Sequence, residues 1–351
     1  MKIFSDLHHN ALYYSLQLLF EKRLGWELYR PIGEEWFDRG YWKVAEPYGN
    51  YPGTVTQFLG IRGETYMPED GSPPLNEVKA VKDGYWSIKA PGKDQKAVTL
   101  EQFKSTKFDI IIASIPQHLE PYTRLIKEYQ PTAKLIYQIG NDFGPIDFKL
   151  AKNIMSSTLP VEVPKGVNVV FYHQEFDLDT FKYVPSVDGK GVYSFVHLLS
   201  KRPEDYEIYK KLKKALPEFE FKSFGTACDD GPVNGWENVA KKMQKSAFGF
   251  HLKAGGDGFG HIIHNWFAVG RPPIIRSSQY RDKLAGQLME DGKTCIDMDG
   301  RSLKENIKRI RRFAEPELHR EVCRNAYDRF RSVVNFDKEQ KEIEAFLERL
   351  T

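Results

Sequence analysis

An acidic residue enters a glycine turn at Asp257-Gly258-Phe259-Gly260, and the residues around it are of the types that bind phosphate and sugar. A small, flexible run, Ala254-Gly255-Gly256, precedes the turn. A helix-like stretch through His264-Asn265-Trp266-Phe267-Ala268 follows and is closed by Gly270; Pro272-Pro273-Ile274-Ile275 then opens an apolar strand. A helix that begins in a glycine turn aims unpaired N–H groups and the positive end of its dipole at whatever sits before it. That makes a seat for phosphate. Asp257 and Asn265 lie eight residues apart, a little over two helical turns, so one sits at the mouth and the other on a similar face further in. One group can hold a sugar hydroxyl while the other reaches the nucleoside side of a diphosphate-linked sugar.

The segment resembles the donor-site signature of retaining GT-B glycosyltransferases, glycosyltransferase family 4 above all. That signature is a Glu, then Gly-Phe-Gly, a second Glu eight residues after the first, then small residues, a Gly, a Pro and an apolar strand. Gly258, Phe259, Gly260, Ala268, Gly270, Pro272 and Ile274 match; Asp257 shortens the first acid and Asn265 neutralises the second. The resemblance implies that Asp257 contacts the donor sugar and Asn265 the ribose, to which an amide still offers a donor and an acceptor. It also implies cations that grip the donor diphosphate. Lys201 and Arg202, after the strand ending at Val196, and Lys253, just ahead of the glycine turn, stand where such charges are expected. Guanidinium or ammonium there would neutralise a leaving nucleoside diphosphate in place of a metal. His251 is expected at the strand end on the donor side.

In the first half, Asp6, His8 and His9 follow one strand, His118 follows Ile112-Ala113-Ser114, and Asn141-Asp142 follow Ile139-Gly140. Polar clusters at carboxyl strand ends converge in a doubly wound sheet. The resemblance assigns His8, His118 and Asp142, with Asp257, to orienting the acceptor hydroxyl and steadying oxocarbenium-like charge. It implies no protein nucleophile, no metal and no cofactor, the nucleotide-sugar being a co-substrate.

Two other classes stay open. Ser5-Asp6-Leu7-His8 resembles the opening metal motif of calcineurin-like metallophosphoesterases, although two-metal hydrolysis needs further His and Asp ligands that do not follow at the family's spacing. A non-catalytic nucleotide- or sugar-binding module would also suit a signature with both acids altered.

The elements that must position these residues read as α/β: a GT-B-like pair of Rossmann-like domains facing an interdomain cleft. Apolar strands are expected at 108–113, 134–139 and 167–172, and helices at 11–24 and 119–129. Residues 26–98, rich in Trp, Tyr, Gly and Pro, read as an irregular insertion with a hairpin around 78–88. The expected division is 1–184 for the acceptor domain, 185–335 for the donor domain, and a helix in 336–351 returning to the first domain. At 351 residues, 41% hydrophobic and 28% charged, the chain can bury two cores. A formal charge of +3 gives no general pull toward nucleic acid or anionic lipid. The acceptor is therefore expected to be a glycan or small molecule more readily than a nucleic acid. Three scattered cysteines make neither a disulfide framework nor a metal cluster. The opening residues lack an apolar signal core and no run reaches spanning length, so the expectation is a cytoplasmic protein without a membrane span.

Overall fold

The computed structural model describes residues 1–7, 10–32, 78–81, 84–88, 93–140, 146–158, 163–185 and 190–350. The chain divides into two compact units, Met1–Phe176 with Phe336–Thr351, and Asp177–Asn335.

Unit 1 is built on a sheet of β1 (Lys2–Ser5), β2 (Glu27–Pro31), β3 (Val78–Ala80), β4 (Trp86–Ile88), β5 (Gln95–Val98), β6 (Ile110–Ala113), β7 (Lys134–Ile139), β8 (Asn153–Ser156) and β9 (Asn168–Phe171). The order is β3-β4-β5-β2-β1-β6-β7-β8-β9. From β5 to β9 every pairing is parallel, while β3 and β4 add an antiparallel hairpin at the β5 edge. Runs such as Ile110-Ile111-Ile112 are buried on both faces, as a parallel sheet covered by helices requires. Alternation sends Phe4 and Ile111 into one core and Ile3 and Ile112 into the other. The first core is closed by α2 (Leu100–Ser105) and α3 (Leu119–Tyr129), through Phe103, Leu119, Tyr122 and Leu125. The second is closed by α1 (Asn10–Gln17) and the wider π-helical turn Leu18–Arg23 that continues it. Thr99 and Gln102 form a capping box that starts α2.

Unit 2 carries β10 (Gly191–Ser194), β11 (Glu220–Ser223), β12 (Phe248–Phe250), β13 (Pro273–Ile275) and β14 (Ile296–Asp297), all parallel, in the order β11-β10-β12-β13-β14. Its helices are α4 (Pro203–Ala215), α5 (Trp236–Lys245), α6 (His261–Ala268), α7 (Leu303–Phe313) and α8 (Pro316–Val333). A Cβ on Gly249 of β12 would lie 2.6 Å from the Trp266 ring, so the bare strand backbone is what lets α6 pack this close. The last helix, α9 (Phe336–Glu348), belongs to unit 1, where Ile343, Phe346 and Leu347 complete the second core.

Several expectations need correction. Residues 27–31 form a parallel strand beside β1 and residues 95–98 a parallel strand beside β2, not irregular insertion. Their apolar pattern is broken by Arg30, which is buried yet donates to Leu7 O at 3.1 Å and lies over the Tyr13 ring. Strand β8 and helix α2 are further elements that the sequence reading left out. Unit 2 begins at Asp177 rather than 185. Residues 180–185 are bound into it: Gln244 Nε2 donates to Lys182 O at 3.1 Å, and Arg271, fully buried, donates to Val184 O at 2.8 Å and Pro185 O at 3.2 Å, and to Ser246 O and Gln244 O beside them. A buried guanidinium needs acceptors on all sides, and residues 184–185 supply part of that shell.

Candidate functional site

In a doubly wound sheet ligands bind beyond the carboxyl ends of the strands, where the strand order reverses. That point lies between β10 and β12 in unit 2 and between β1 and β6 in unit 1.

In unit 2 the loop leaving β12 brings together three of the residues singled out from sequence. His251 Nε2 lies 2.8 Å from Asp257 Oδ2, and Lys253 Nζ pairs with Asp257 Oδ1. Burial alone would push the Asp257 carboxyl up, but the His251 hydrogen bond and the charges of His251 and Lys253 outweigh it. The net effect holds the group below the usual carboxylate range. Asp257 is therefore a carboxylate already partnered within its own loop by an ammonium and an imidazole.

Two residues missed in the sequence complete this knot. Tyr280 OH donates to Asp257 Oδ2 at 3.3 Å, and Lys283 Nζ donates to Asp257 O at 2.6 Å and to Gly255 O at 3.3 Å. Burial, then the Asp257 charge, pushes the Tyr280 phenol well above its ordinary range, so it stays a donor. A signal for both existed: they follow the apolar strand ending at Ile275, a carboxyl-end position like those of His251 and Asp257.

The glycine turn forms as expected. Gly260 caps α6 with φ +79°, in the left-handed region that other residues avoid. No acid lies in the first turn of α6, and among the described residues no side chain caps it. His264 Nδ1–H donates to Gly260 O at 2.9 Å while its ring stacks on Phe259, with centroids 3.9 Å apart. Helix α4, the other helix starting at this switch point, differs. Its first turn holds Glu204 and Asp205, and buried Asp205 accepts from Ala254 N at 2.8 Å. The positive end of α4 is thus occupied by the protein's own carboxylates, and that of α6 is not.

Lys201 is exposed and Arg202 half-buried between β10 and α4. Among the described residues neither belongs to an ion pair. Just ahead of them Leu198 has φ +61°, the one non-glycine residue with positive φ among the described residues. Asn265 sits on α6 fully buried, and among the described residues neither its amide oxygen nor its nitrogen has a partner.

In unit 1, His118 Nδ1 pairs with Asp6 Oδ2, and Asp6 Oδ1 accepts from Ser114 N at 2.8 Å. Both side chains are sealed from solvent. Burial would raise the Asp6 carboxyl, but the His118 charge and hydrogen bonds hold it low. His8, His9, Asn141 and Asp142 lie outside the described residues, as does most of 26–98. Among the described residues no group of three or more His, Cys, Asp or Glu is placed to hold a metal ion, and no helix is long and apolar enough to cross a membrane.

No family model matches the chain, and no curated protein matches it in sequence. Solved structures match along nearly the whole length. Anabaena Alr3699/HepE, in complex with UDP, is 12% identical with a TM-score of 0.63, covering 99% of this chain and 100% of that one. An alpha-glucosyltransferase in complex with UDP and a mismatch-containing DNA is 10% identical with a TM-score of 0.59, covering 99% of each chain. Sucrose-phosphate synthase from Thermosynechococcus elongatus is 10% identical with a TM-score of 0.57, covering 99% and 98%. At these identities the likeness is one of fold. The chain has the GT-B fold of glycosyltransferases, two Rossmann-like units in one polypeptide.

Proposed function

We propose that the protein is a retaining glycosyltransferase, a hexosyl- or pentosyltransferase of the cytoplasm, that takes its nucleotide-sugar donor on unit 2. The observation that carries this reading is the start of α6, which has a glycine cap, no side-chain cap and no acid in its first turn, delivered by Gly258-Phe259-Gly260 to the carboxyl end of β12 beside an ionised Asp257. Support comes from the fold, which relatives in structure share while holding UDP or UDP-glucose. The diphosphate sits against the first turn of α6, Asp257 contacts a sugar hydroxyl, and Asn265 answers the nucleoside end. Lys201, Arg202 and Lys253 contribute positive charge as the leaving group departs, so no metal is required.

The acceptor hydroxyl forms its bond to the anomeric carbon on the face from which the diphosphate leaves. The carbon–oxygen bond to phosphate breaks, and the leaving phosphate oxygen takes the hydroxyl proton. Unit 1 receives the acceptor, and His118, sealed against Asp6, serves there as a positioning residue; His8 and Asp142 keep the roles that the resemblance implies.

A thermal-unfolding panel of UDP, GDP, ADP and their sugar conjugates tests the reading, because ligands of the native state raise its midpoint. One nucleoside diphosphate should raise the midpoint, its sugar conjugate should be turned over, and turnover should persist in a chelator. A flat response to all of them sinks the proposal.

A further inference from the structure

Two ammonium groups approach the glycine turn of unit 2, and their partners differ. Lys253 is paired with the Asp257 carboxylate, and His251 with the other oxygen of the same group. Lys283 comes from the loop after β13, and among the described residues its ammonium donates to carbonyls, Asp257 O and Gly255 O. Carbonyls fix an ammonium in place without cancelling its charge. An ammonium has three N–H donors, so one remains beyond these two. The loop is shaped around this lysine. A Cβ on Gly256 would lie 3.1 Å from Lys283 Nζ and 2.6 Å from Gln279 O, and Gly256 itself has φ +68°. The Lys283 ammonium also lies 5.8 Å from the centre of the Tyr280 ring, which lends the side chain a wall.

The same segment holds buried polar atoms that lack a partner among the described residues: His251 Nδ1 at the end of β12, and both amide atoms of Asn265 on α6. Buried polar groups of this kind are the ones a polar ligand satisfies. Lys283 reaches the carbonyl immediately before Gly258, which places its charge at the mouth of the α6 N-terminus.

We propose that Lys283 is a diphosphate-binding residue, an ammonium held over the donor loop by two carbonyls so that its remaining N–H and its uncancelled charge meet the phosphates of a nucleotide-sugar donor. This assignment rests on the reading of unit 2 as the donor side. Isothermal titration calorimetry of the full chain tests it, with UDP, GDP and ADP and their parent nucleosides as probes. Lys283→Met should weaken the diphosphate bound by wild type by about tenfold and flatten the salt dependence of binding. Parent-nucleoside affinity should be unaffected, and Lys283→Arg should keep diphosphate affinity within about threefold. Should Lys283→Met lower the unfolding midpoint, Lys283→Gln keeps a donor for the loop carbonyls without the charge, and the same loss is expected of it. Wild-type protein that binds no diphosphate overturns both this assignment and the donor reading. Wild-type binding matched by both uncharged variants overturns the assignment alone.

Discussion

Each unit places an aspartate–histidine pair at the carboxyl strand ends where its sheet reverses order, and the two pairs have opposite surroundings. In unit 1 Asp6 and His118 are sealed, with a backbone N–H as the second partner of the acid. In unit 2 Asp257 keeps 19% of its side-chain surface, its loop is made of glycines, and Lys253, Tyr280 and Lys283 crowd the same residue. The sealed pair ties β1 to the segment after β6, fastening the middle of the sheet. The open one concentrates positive charge and donors at a helix start that no protein acid occupies. The same two side-chain types therefore sit in a sealed framework in one place and, on the proposed reading, at a ligand site in the other, and burial and neighbouring lysines make the difference.

The largest effect expected from breaking this comparison is on unit 1. Asp6→Ala strands buried His118 and the Ser114 N–H, and should cost about 3 kcal/mol of unfolding free energy. Chemical denaturation measures it, and a loss as small as that of Asp257→Asn would remove the distinction between the pairs. Asp257→Asn should instead lower sugar transfer by about a hundredfold while leaving affinity for the bare nucleoside diphosphate nearly intact. Loss of nucleotide binding in that variant would reverse the donor orientation proposed for unit 2.

Acid separates wild type from both variants more gently. Asp6 and Asp257 have folded-state values below those of an unfolded chain. Their stabilisation is thus complete above the ordinary carboxylate value of about 4 and is lost as pH falls below it toward the folded values. Wild-type midpoints should drop as pH falls below about 4, and Asp6→Asn and Asp257→Asn should each flatten that limb. Parallel limbs in all three proteins would show these carboxylates to be unperturbed.

The smallest effect concerns Asn265. Asn265→Ala removes two buried polar atoms without partners among the described residues, so the free protein should lose little stability. Nucleoside diphosphate binding should weaken by about 1 kcal/mol, one hydrogen bond. Undiminished affinity by calorimetry would take Asn265 out of the nucleoside contact.

Much of this fold was legible without coordinates. Runs such as Lys134–Ile139 and the apolar face of Leu119–Tyr129 appear where periodicity places them, because burial on both faces of a strand or one face of a helix writes itself into local order. The glycine turn and the helix after it were legible for a similar reason: a left-handed cap at Gly260 leaves few alternatives to glycine. Strands β2 and β5 were not, since buried Arg30 and Gln95 interrupt an apolar pattern that tertiary hydrogen bonds repair.

Pairings across the fold lay beyond the sequence as well. Asp6 meets His118 over a separation of 112 residues, and Lys283 reaches the Asp257 carbonyl over 26. Periodicity states which face a side chain takes but not which strand lies beside it. The chain alone determined the chemistry on offer: one aspartate in a glycine turn, nearby cations, histidines at strand ends. Only the packed structure decided which aspartate would be sealed and which left within reach of solvent, because burial and charge compensation come from residues that only folding makes neighbours.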